Sequence, residues 1–141
     1  VIVYLAQKRH SSYGRNSLKL LQSSVRSLVA NYLNKHCDDL MFLHYGEMDR
    51  ATQNEVLALT GDASARFLLV PANYRTTPVR APAQDRWLQH ERFSAGYRHM
   101  IRLYTIGIWE IVSGCGYEYM MRMDEDSAIL SPITYNVFSY M

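Results

Sequence analysis

Hydrophobic residues in this chain alternate between short continuous runs and longer stripes with helical spacing. The runs at residues 1–6, 39–44 and 67–70 are rich in valine, isoleucine, leucine and phenylalanine. Such runs are typical of strands that are buried on both faces of a sheet. Residues 117–123 mix tyrosine and methionine with charged residues and predict one more strand, which leads into an acidic cluster.

Between these runs, apolar residues recur every three or four positions, which predicts amphipathic helices. The most regular stripe lies between residues 16 and 34, and a shorter one lies at 49–61. A third lies at 94–112, and its residues expected to face inward are Tyr97, Met100, Ile101, Tyr104, Ile108, Ile111 and Val112. Glycines follow the second and third stripes, where a helix ends most easily. The alternation of strands and helices predicts an α/β fold with a mainly parallel sheet and flanking helices.

The segment at residues 71–93 interrupts this alternation. It contains three of the four prolines and shows little periodicity, so it predicts an extended surface loop. Loops of this length in compact domains are usually functional or mobile. Whether the loop covers a bound ligand or is an insertion is left open by the sequence.

Composition and charge narrow the possible functions. Apolar residues make up 48% and charged residues 20% of 141 residues, which is ordinary for one globular domain. Fifteen basic and thirteen acidic side chains give a net charge of +2, so a nucleic-acid binder that depends on phosphate contacts is the least supported function. No apolar run reaches the roughly eighteen residues that a membrane-spanning helix needs.

The chain begins at Val1, inside an apolar run, without an initiating methionine or a signal-like leader. We therefore expect it to be a portion of a longer protein. Its two cysteines, Cys37 and Cys115, could form at most one bridge, and their spacing leaves the pairing open.

The strongest candidate for chemistry is the acidic cluster Asp124-Glu125-Asp126 at the end of the last predicted strand. In extended backbone the side chains at positions i and i+2 leave the same face, so Asp124 and Asp126 could reach one cation. Carboxylate oxygens suit Mg²⁺ or Mn²⁺, and such an ion could also bind a diphosphate and neutralise charge on a leaving group. The simpler alternative is an acidic turn after a strand.

Arginines supply most of the positive charge, since the chain has twelve Arg and three Lys. The arginine fork binds phosphate oxygens in pairs. Lys8, Arg9 and Arg15 follow the first strand, and in a parallel sheet they would share an edge with the acidic cluster, where ligands collect. Arg98 and Arg102 lie off the apolar stripe of their helix. Each of these residues, taken singly, could equally be a solvated surface charge.

Two segments together resemble the fungal α-1,2-mannosyltransferases of glycosyltransferase family 15. The first is F-S-A-G-Y-R-H-M-I-R-L-Y at residues 93–104, and the second is Y-E-Y-M-M-R-M-D-E-D at residues 117–126. The family carries a similar Y-R-H-M-C-R-F-Y helix followed by a Y-D-Y-Y-W-R-V-E-P strand end. Order, spacing and residue type agree together, which is more specific than two aspartates alone.

The resemblance implies a GT-A-like (Rossmann-like) fold, of which residues 1–141 would be the donor-binding N-terminal portion of a single catalytic domain. It implies a GDP-mannose donor, Mn²⁺ (or Mg²⁺), and transfer with retention to a mannoside acceptor on a glycoprotein or glycolipid through an α-1,2 linkage. It also implies the Golgi lumen, with a membrane anchor outside this chain. Acceptor-binding residues and any nucleophile would lie after Met141, so residues 1–141 alone would be inactive.

The resemblance also assigns the site. Asp124 takes the place of the family's glutamate at the metal and donor site, and Asp126 is a natural second metal ligand. Tyr97 falls on the family's donor-site tyrosine. Arg98 and Arg122 fall on its neighbouring arginines. Gln7 and Arg9 are further expected donor contacts because they follow the first strand at the edge that the acidic cluster shares.

The chain departs from the family at several positions. Asp-Glu-Asp replaces Glu-Pro-x, Ile101 replaces a cysteine, and residues 105–107 replace the usual N/Y-S-G-F. The shorter side chain of Asp124 would shift the metal. These departures leave an alternative in which the protein is a catalytically inactive or truncated glycosyltransferase-like interaction module.

Overall fold

A computed structural model describes residues 1–8, 16–76 and 94–141. Arg9 and most of the predicted loop at 71–93 lie outside these residues. The described chain divides into two compact units, of which the first comprises residues 1–69 and 119–141 and the second comprises residues 70–118.

A four-stranded parallel sheet lies at the centre of the first unit. The strands are β1 (Ile2–Leu5), β2 (Leu40–His44), β3 (Ala65–Leu69) and β4 (Met121–Met123), in the order β3-β2-β1-β4. Every residue of the central strands β1 and β2 is buried, as their continuous apolar runs predict. The predicted α/β fold with a parallel sheet and flanking helices is confirmed.

Helix α1 (Ser17–Leu28) connects β1 to β2. It begins after Asn16, whose side-chain oxygen accepts the Lys19 N–H at 3.3 Å. The helix continues through a π-helical turn (Val29–Leu33) and a short α-helical piece (Asn34–His36). Its predicted apolar stripe packs into the core beside β1 and β2, and the buried members of that stripe are Leu21, Val25, Leu28, Tyr32 and Leu33.

Helix α2 (Arg50–Leu57) connects β2 to β3, as predicted. The carboxylate of Asp49 accepts the Thr52 N–H at 2.8 Å and so caps the first turn. Gly61 follows the helix with a φ of 63°, which is the left-handed conformation expected of a glycine after a helix.

The last strand is shorter than predicted. β4 pairs with β1 only from Ile2 with Met121 to Tyr4 with Met123. Residues 117–120 have the composition of a strand, but they lie outside the paired residues. The amino group of Val1 donates to the Tyr119 carbonyl at 2.9 Å beside the first pair.

The carboxyl-terminal residues pack against α1 and its extension, which the sequence pattern did not predict. Asn31 Nδ2 donates to the Ile129 carbonyl at 2.7 Å, and the Ile133 N–H donates to the Asn31 carbonyl at 2.8 Å. A 3₁₀ turn (Val137–Tyr140) ends the segment. These contacts complete the core on the α1 side of the sheet.

Within the residues that the structure describes, the second unit contains three α-helical segments. They are α3 (Ala72–Arg75), α4 (Ala95–Arg102) and α5 (Ile108–Gly114), and a π-helical turn (Leu103–Gly107) joins the last two into one continuous helix. The Tyr74 hydroxyl donates to Glu110 Oε2 at 2.6 Å.

The predicted helix at 94–112 is present, but its inward stripe is partly wrong. Tyr97 and Ile101 were expected to lie on the buried face, yet their side chains are 44% and 43% exposed. The buried positions are Leu103, Gly107, Ile108 and Val112. A π-helical turn contains more residues than an α-helical turn, so it shifts the phase of the stripe between the two ends of the helix.

Within the described residues, no helix is both long and apolar enough to cross a bilayer. Cys37 and Cys115 are free thiols.

Candidate functional site

The carboxyl ends of the four parallel strands meet at one edge of the sheet. β1 and β4 are neighbours, so the residues after Leu5 and those after Met123 leave the sheet side by side. Gln7 and the acidic cluster therefore share this edge, as the sequence predicts. This edge is where α/β sheets bind their ligands.

Arg122 is paired with the first acidic residue of the cluster. Its Nε and Nη2 atoms both donate to Asp124 Oδ1, at 2.8 and 2.6 Å. The two side chains are 38% and 52% exposed, so water screens the pair and it contributes about 1 kcal/mol or less to stability. Both contacts fall on the same oxygen, which leaves the second carboxylate oxygen of Asp124 without a contact to Arg122.

The backbone turns sharply within the acidic cluster. β4 ends at Met123, and the Ser127 N–H donates to the Asp124 carbonyl at 3.0 Å. The alternation of faces that would direct Asp124 and Asp126 to the same side requires extended backbone, and that condition ends with the strand. Both side chains are nevertheless exposed, and Glu125 between them is half-buried.

Glu125 is half-buried, and its Oε2 atom is inaccessible to solvent. Burial raises the pKa of its carboxyl group. Ser17, the first residue of α1, is fully buried, and neither Ser17 Oγ nor Glu125 Oε2 makes a hydrogen bond within the described residues.

The second strand exit also contributes ionic groups. Lys8 Nζ lies 2.9 Å from Asp49 Oδ2, which connects the residues after β1 to the start of α2. The bond from Lys8, followed by those from Thr52, lowers the pKa of the Asp49 carboxyl. His44 ends β2, and its Nδ1 accepts the Gly46 N–H at 3.1 Å. The sequence placed His44 at this exit but gave no signal for its hydrogen bond.

Tyr97 and Arg98 lie in the second unit, in the first turn of α4. The Ser94 hydroxyl accepts the Tyr97 N–H at 3.2 Å and caps the helix. Tyr97 is exposed and Arg98 is half-buried. Burial, together with the charge of Arg102, lowers the pKa of His99.

The residues at the sheet edge fit a hard divalent cation by their chemistry. Asp124 and Asp126 offer exposed carboxylate oxygens, which are the donors that Mn²⁺ and Mg²⁺ accept. Residues 1–8, 16–76 and 94–141 contain no group of three or more histidine, cysteine, aspartate or glutamate side chains arranged to hold a metal. Such an ion would therefore need ligands in addition to these two carboxylates, and a bound diphosphate can supply them.

Comparison with known proteins finds similar solved structures. No protein-family model matches the sequence, and no curated protein matches it significantly. The mannosyltransferase Ktr4p from S. cerevisiae matches with a TM-score of 0.83 at 18% identity, over 99% of this chain and 35% of that one. Its complex with GDP matches with a TM-score of 0.81 at 17% identity, over 99% of this chain and 36% of that one.

Core-mannan synthase A (CmsA/Ktr4) from Aspergillus fumigatus, in its Mn/GDP form, matches with a TM-score of 0.82 at 16% identity, over 99% of this chain and 38% of that one. The chain thus spans little more than a third of the length of the solved structures that it matches. At 16–18% sequence identity, the structural similarity establishes the fold of this chain. The glycosyltransferase fold that the sequence resemblance implied is confirmed, and this chain has the fold of part of these mannosyltransferases.

Proposed function

We propose that this chain is the donor-binding portion of a metal-dependent mannosyltransferase that uses GDP-mannose. The observation that carries the proposal is the exposed pair Asp124 and Asp126 at the carboxyl edge of a parallel sheet whose fold is that of mannosyltransferases. One matching structure is described as a Mn/GDP form and another as a complex with GDP, which supports this donor and this ion.

In the proposed reaction, the bond between the anomeric carbon of mannose and the diphosphate oxygen breaks, and GDP leaves. An acceptor hydroxyl forms the new glycosidic bond and loses its proton. A divalent ion at Asp124 and Asp126 would supply charge neutralisation on the departing diphosphate. Arg122 would hold Asp124 and present positive charge at the same edge, and Gln7 and Arg9 would contact the donor from the neighbouring strand exit.

Tyr97 and Arg98 complete the proposed donor contacts. The exposure of Tyr97 leaves its ring available to a ligand, whereas a core position would not. The acceptor would be a mannoside on a glycoprotein or glycolipid, joined with retention through an α-1,2 linkage, and the whole enzyme would act in the Golgi lumen from a membrane anchor. These finer features rest on the sequence resemblance, and NMR of the anomeric configuration of the product would test retention and linkage together.

The donor and the metal are tested by isothermal titration of the full-length protein with GDP and with UDP, each with and without Mn²⁺. We expect GDP to bind with Mn²⁺ and to bind much more weakly without it. Asp124→Asn and Asp126→Asn should each weaken Mn²⁺-dependent GDP binding by about tenfold or more, because each removes a charged ligand.

Asp62→Asn is the matched control, because Asp62 is exposed and lies in the loop between α2 and β3. This variant should bind GDP as the wild type does. Absence of metal-dependent nucleotide binding by the wild type would overturn the proposal and leave the inactive interaction module as the better reading.

A further inference from the structure

We propose that Tyr74 is a positioning residue for the donor site, because it fixes the π-helical turn (Leu103–Gly107) between α4 and α5 and so sets the direction of Tyr97. This proposal rests on the proposed function, in which Tyr97 contacts the donor. It gives a role to α3, a four-residue helix in a segment that the sequence pattern predicted as a loop.

The first observation is where Tyr74 meets the long helix. A Cβ atom added at Gly107 would lie 2.7 Å from its ring, its hydroxyl donates to Glu110 Oε2 at 2.6 Å, and the guanidinium of Arg102 lies 5.4 Å from the ring centre. Arg102 precedes the π-helical turn, Gly107 lies in it and Glu110 follows it. One side chain, which is only 4% exposed, therefore contacts the helix before, within and after the turn.

The second observation is the spacing of these three contacts. In an α-helix, residues three or four positions apart lie on one face, whereas residues five positions apart lie about 140° apart around the axis. Arg102 and Gly107 are five positions apart, and Gly107 and Glu110 are three positions apart. The first pair shares a face because the Ile108 N–H donates to the Leu103 carbonyl, five residues back, as in a π-helix. The contacts of this tyrosine fit the π-helical turn and would not fit a regular α-helix.

The third observation is a main-chain contact that holds α3 to α4. Arg102 Nη1 donates to the Asn73 carbonyl at 2.6 Å. The Tyr74 N–H donates to the Pro71 carbonyl at 3.0 Å, which closes the first turn of α3. Because the backbone on the amino-terminal side of the tyrosine is held in this way, its ring is a fixed support for the π-helical turn.

The fourth observation is the difference in burial between the two parts of the helix. Ile108 and Val112 are buried in α5, whereas no residue of α4 is buried. If the turn became α-helical without losing a residue, one part would rotate by about 100° relative to the other. The rotation would fall on α4, because α5 is held by its buried side chains. Tyr97, which is 44% exposed, would then leave its present direction.

The test uses the full-length protein with Tyr74→Ala and, separately, with deletion of Ile106, an exposed residue of the π-helical turn. The deletion places Arg102 and Gly107 four positions apart, which fits an α-helix and keeps α4 in its direction. GDP affinity in the presence of Mn²⁺ and the midpoint of thermal unfolding are measured. Tyr32→Phe is the matched control, because it also removes a bond from a buried tyrosine to a carboxylate, but in the first unit.

We expect Tyr74→Ala to weaken Mn²⁺-dependent GDP binding by about tenfold, the loss expected when one good contact with a ligand is removed. Deletion of Ile106 should leave this affinity unchanged, and it should restore the affinity when combined with Tyr74→Ala, because no π-helical turn is left to fix. Tyr32→Phe should lower the unfolding midpoint without changing the affinity. Wild-type affinity in Tyr74→Ala, or no recovery in the combined variant, would overturn the proposal.

The deletion variant keeps the proposal testable if Tyr74→Ala does not fold. Loss of GDP binding on deletion of Ile106 alone would contradict the positioning role, because the deletion preserves the direction of α4.

A thiol reporter tests the direction of α4 without any nucleotide. Ile101 is 43% exposed, and Leu103, two positions further along, is buried on the opposite side, so a rotation of α4 in either direction moves residue 101 inward. Ile101→Cys, in a background of Cys37→Ser and Cys115→Ser, should react with a thiol reagent severalfold more slowly when Tyr74→Ala is added. An unchanged rate would overturn the proposal. Failure of the wild type to bind GDP with Mn²⁺ would instead overturn the proposed function, so the two failures are distinguishable.

Discussion

At the scale of single residues, the acidic cluster shows how neighbours of the same charge take different roles. Asp124 is exposed and paired with Arg122, Asp126 is exposed, and Glu125 between them is half-buried. The difference arises because the backbone turns after Met123, so consecutive side chains leave in directions that strand geometry does not predict. The interaction between Arg122 and Asp124 gives the first prediction at this scale.

Removal of Arg122 should change metal and nucleotide binding in opposite directions. Arg122→Ala leaves Asp124 without its positive partner, so Mn²⁺ alone should bind up to about fivefold more tightly, which corresponds to the strength of an exposed ion pair. GDP should bind more weakly in the presence of Mn²⁺, because a positive charge near the diphosphate is lost. Titration with Mn²⁺ alone and with GDP at saturating Mn²⁺ measures the two effects.

The control for this variant is Arg26→Ala, which removes an exposed arginine from the last turn of α1. It should leave both affinities unchanged. If Arg122→Ala weakened the binding of Mn²⁺ alone, the pair would be organising Asp124 for the metal and would not be competing with it.

At the scale of elements, the glycine in the π-helical turn of the second unit has an identifiable packing reason. Gly107 lies in this turn, and a Cβ atom added there would lie 2.7 Å from ring atoms of Tyr74. The absence of a side chain at Gly107 therefore lets the tyrosine ring pack directly on the helix backbone. The same ring receives the guanidinium of Arg102 at 5.4 Å, and its hydroxyl donates to Glu110.

Gly107→Ala should destabilise the protein by about 1–3 kcal/mol, because the new methyl group must displace a packed aromatic ring. The measurement is denaturant unfolding of the variant and the wild type under the same conditions. Gly114→Ala is the matched control, since Gly114 ends α5 and has no atom within 4 Å of an added Cβ. It should be neutral or stabilising, because alanine favours helical backbone.

The outcome that would contradict this account is equal stability of Gly107→Ala and Gly114→Ala. In that case Tyr74 would move away without cost, and the close approach at Gly107 would not explain the glycine.

The sequence predicted the elements well where the pattern was local and strong. The stripe of α1 and the apolar runs of β1 and β2 identified buried positions correctly, because both faces of a central strand and one face of a helix must be apolar. The sequence pattern failed where contacts with other parts of the chain determine the structure. Residues 117–120 have the composition of a strand but lie outside β4, and the phase of the stripe at Tyr97 depends on a π-helical turn that no periodicity of 3.6 residues predicts.

At the scale of the whole molecule, hydrogen bonds connect distant segments of the first unit. The Tyr32 hydroxyl donates to Asp38 Oδ2 at 2.5 Å and accepts the Val137 N–H at 3.2 Å. Asn136 Nδ2 reaches the same carboxylate at 3.3 Å. A buried tyrosine in the π-helical turn after α1 therefore connects Asp38 with residues 136 and 137.

Tyr32→Phe should lower stability by about 1–3 kcal/mol, because it leaves the Asp38 carboxylate and the Val137 N–H without their shared partner. Burial, followed by the bond to Asp38, raises the pKa of Tyr32 well above its usual value of 10.0. Because the unfolded chain ionises this tyrosine near pH 10 and the folded chain ionises it only at higher pH, the stabilisation by the protonated Tyr32 hydroxyl is complete below pH 10. That stabilisation is lost as the pH rises above 10. Thermal unfolding between pH 7 and pH 11 measures both effects.

Tyr4 provides the comparison for the pH dependence. Burial raises its pKa to about 12, and its hydroxyl lies 3.0 Å from Ser24 Oγ. Between pH 10 and pH 11, Tyr32→Phe should therefore lose less stability than the wild type does. The remaining loss in the variant should be the pH-dependent loss that comes from ionisation of Tyr4. A pH profile identical to that of the wild type would show that Tyr32 does not titrate in this way.

The amino-acid sequence by itself determined the class of fold and the edge at which a site would form. The spacing of apolar residues shows which face of each strand or helix is buried, and this spacing can be recognised within a single segment of sequence. The strand pattern pointed to Asp124 and Gln7, and the resemblance to glycosyltransferase family 15 added Tyr97. The strand order was not predicted: the tertiary structure pairs β1 with β4 in parallel and so brings Gln7 to the same edge as the acidic cluster.

The tertiary structure alone decided which acidic side chain faces the protein and which carboxylate oxygen of Asp124 contacts Arg122. It also decided that the carboxyl-terminal residues pack on α1. These outcomes depend on contacts between residues that are about a hundred positions apart, such as Asn31 with Ile129. No local pattern encodes such contacts, because each side chain takes its direction from partners that only the folded chain brings near.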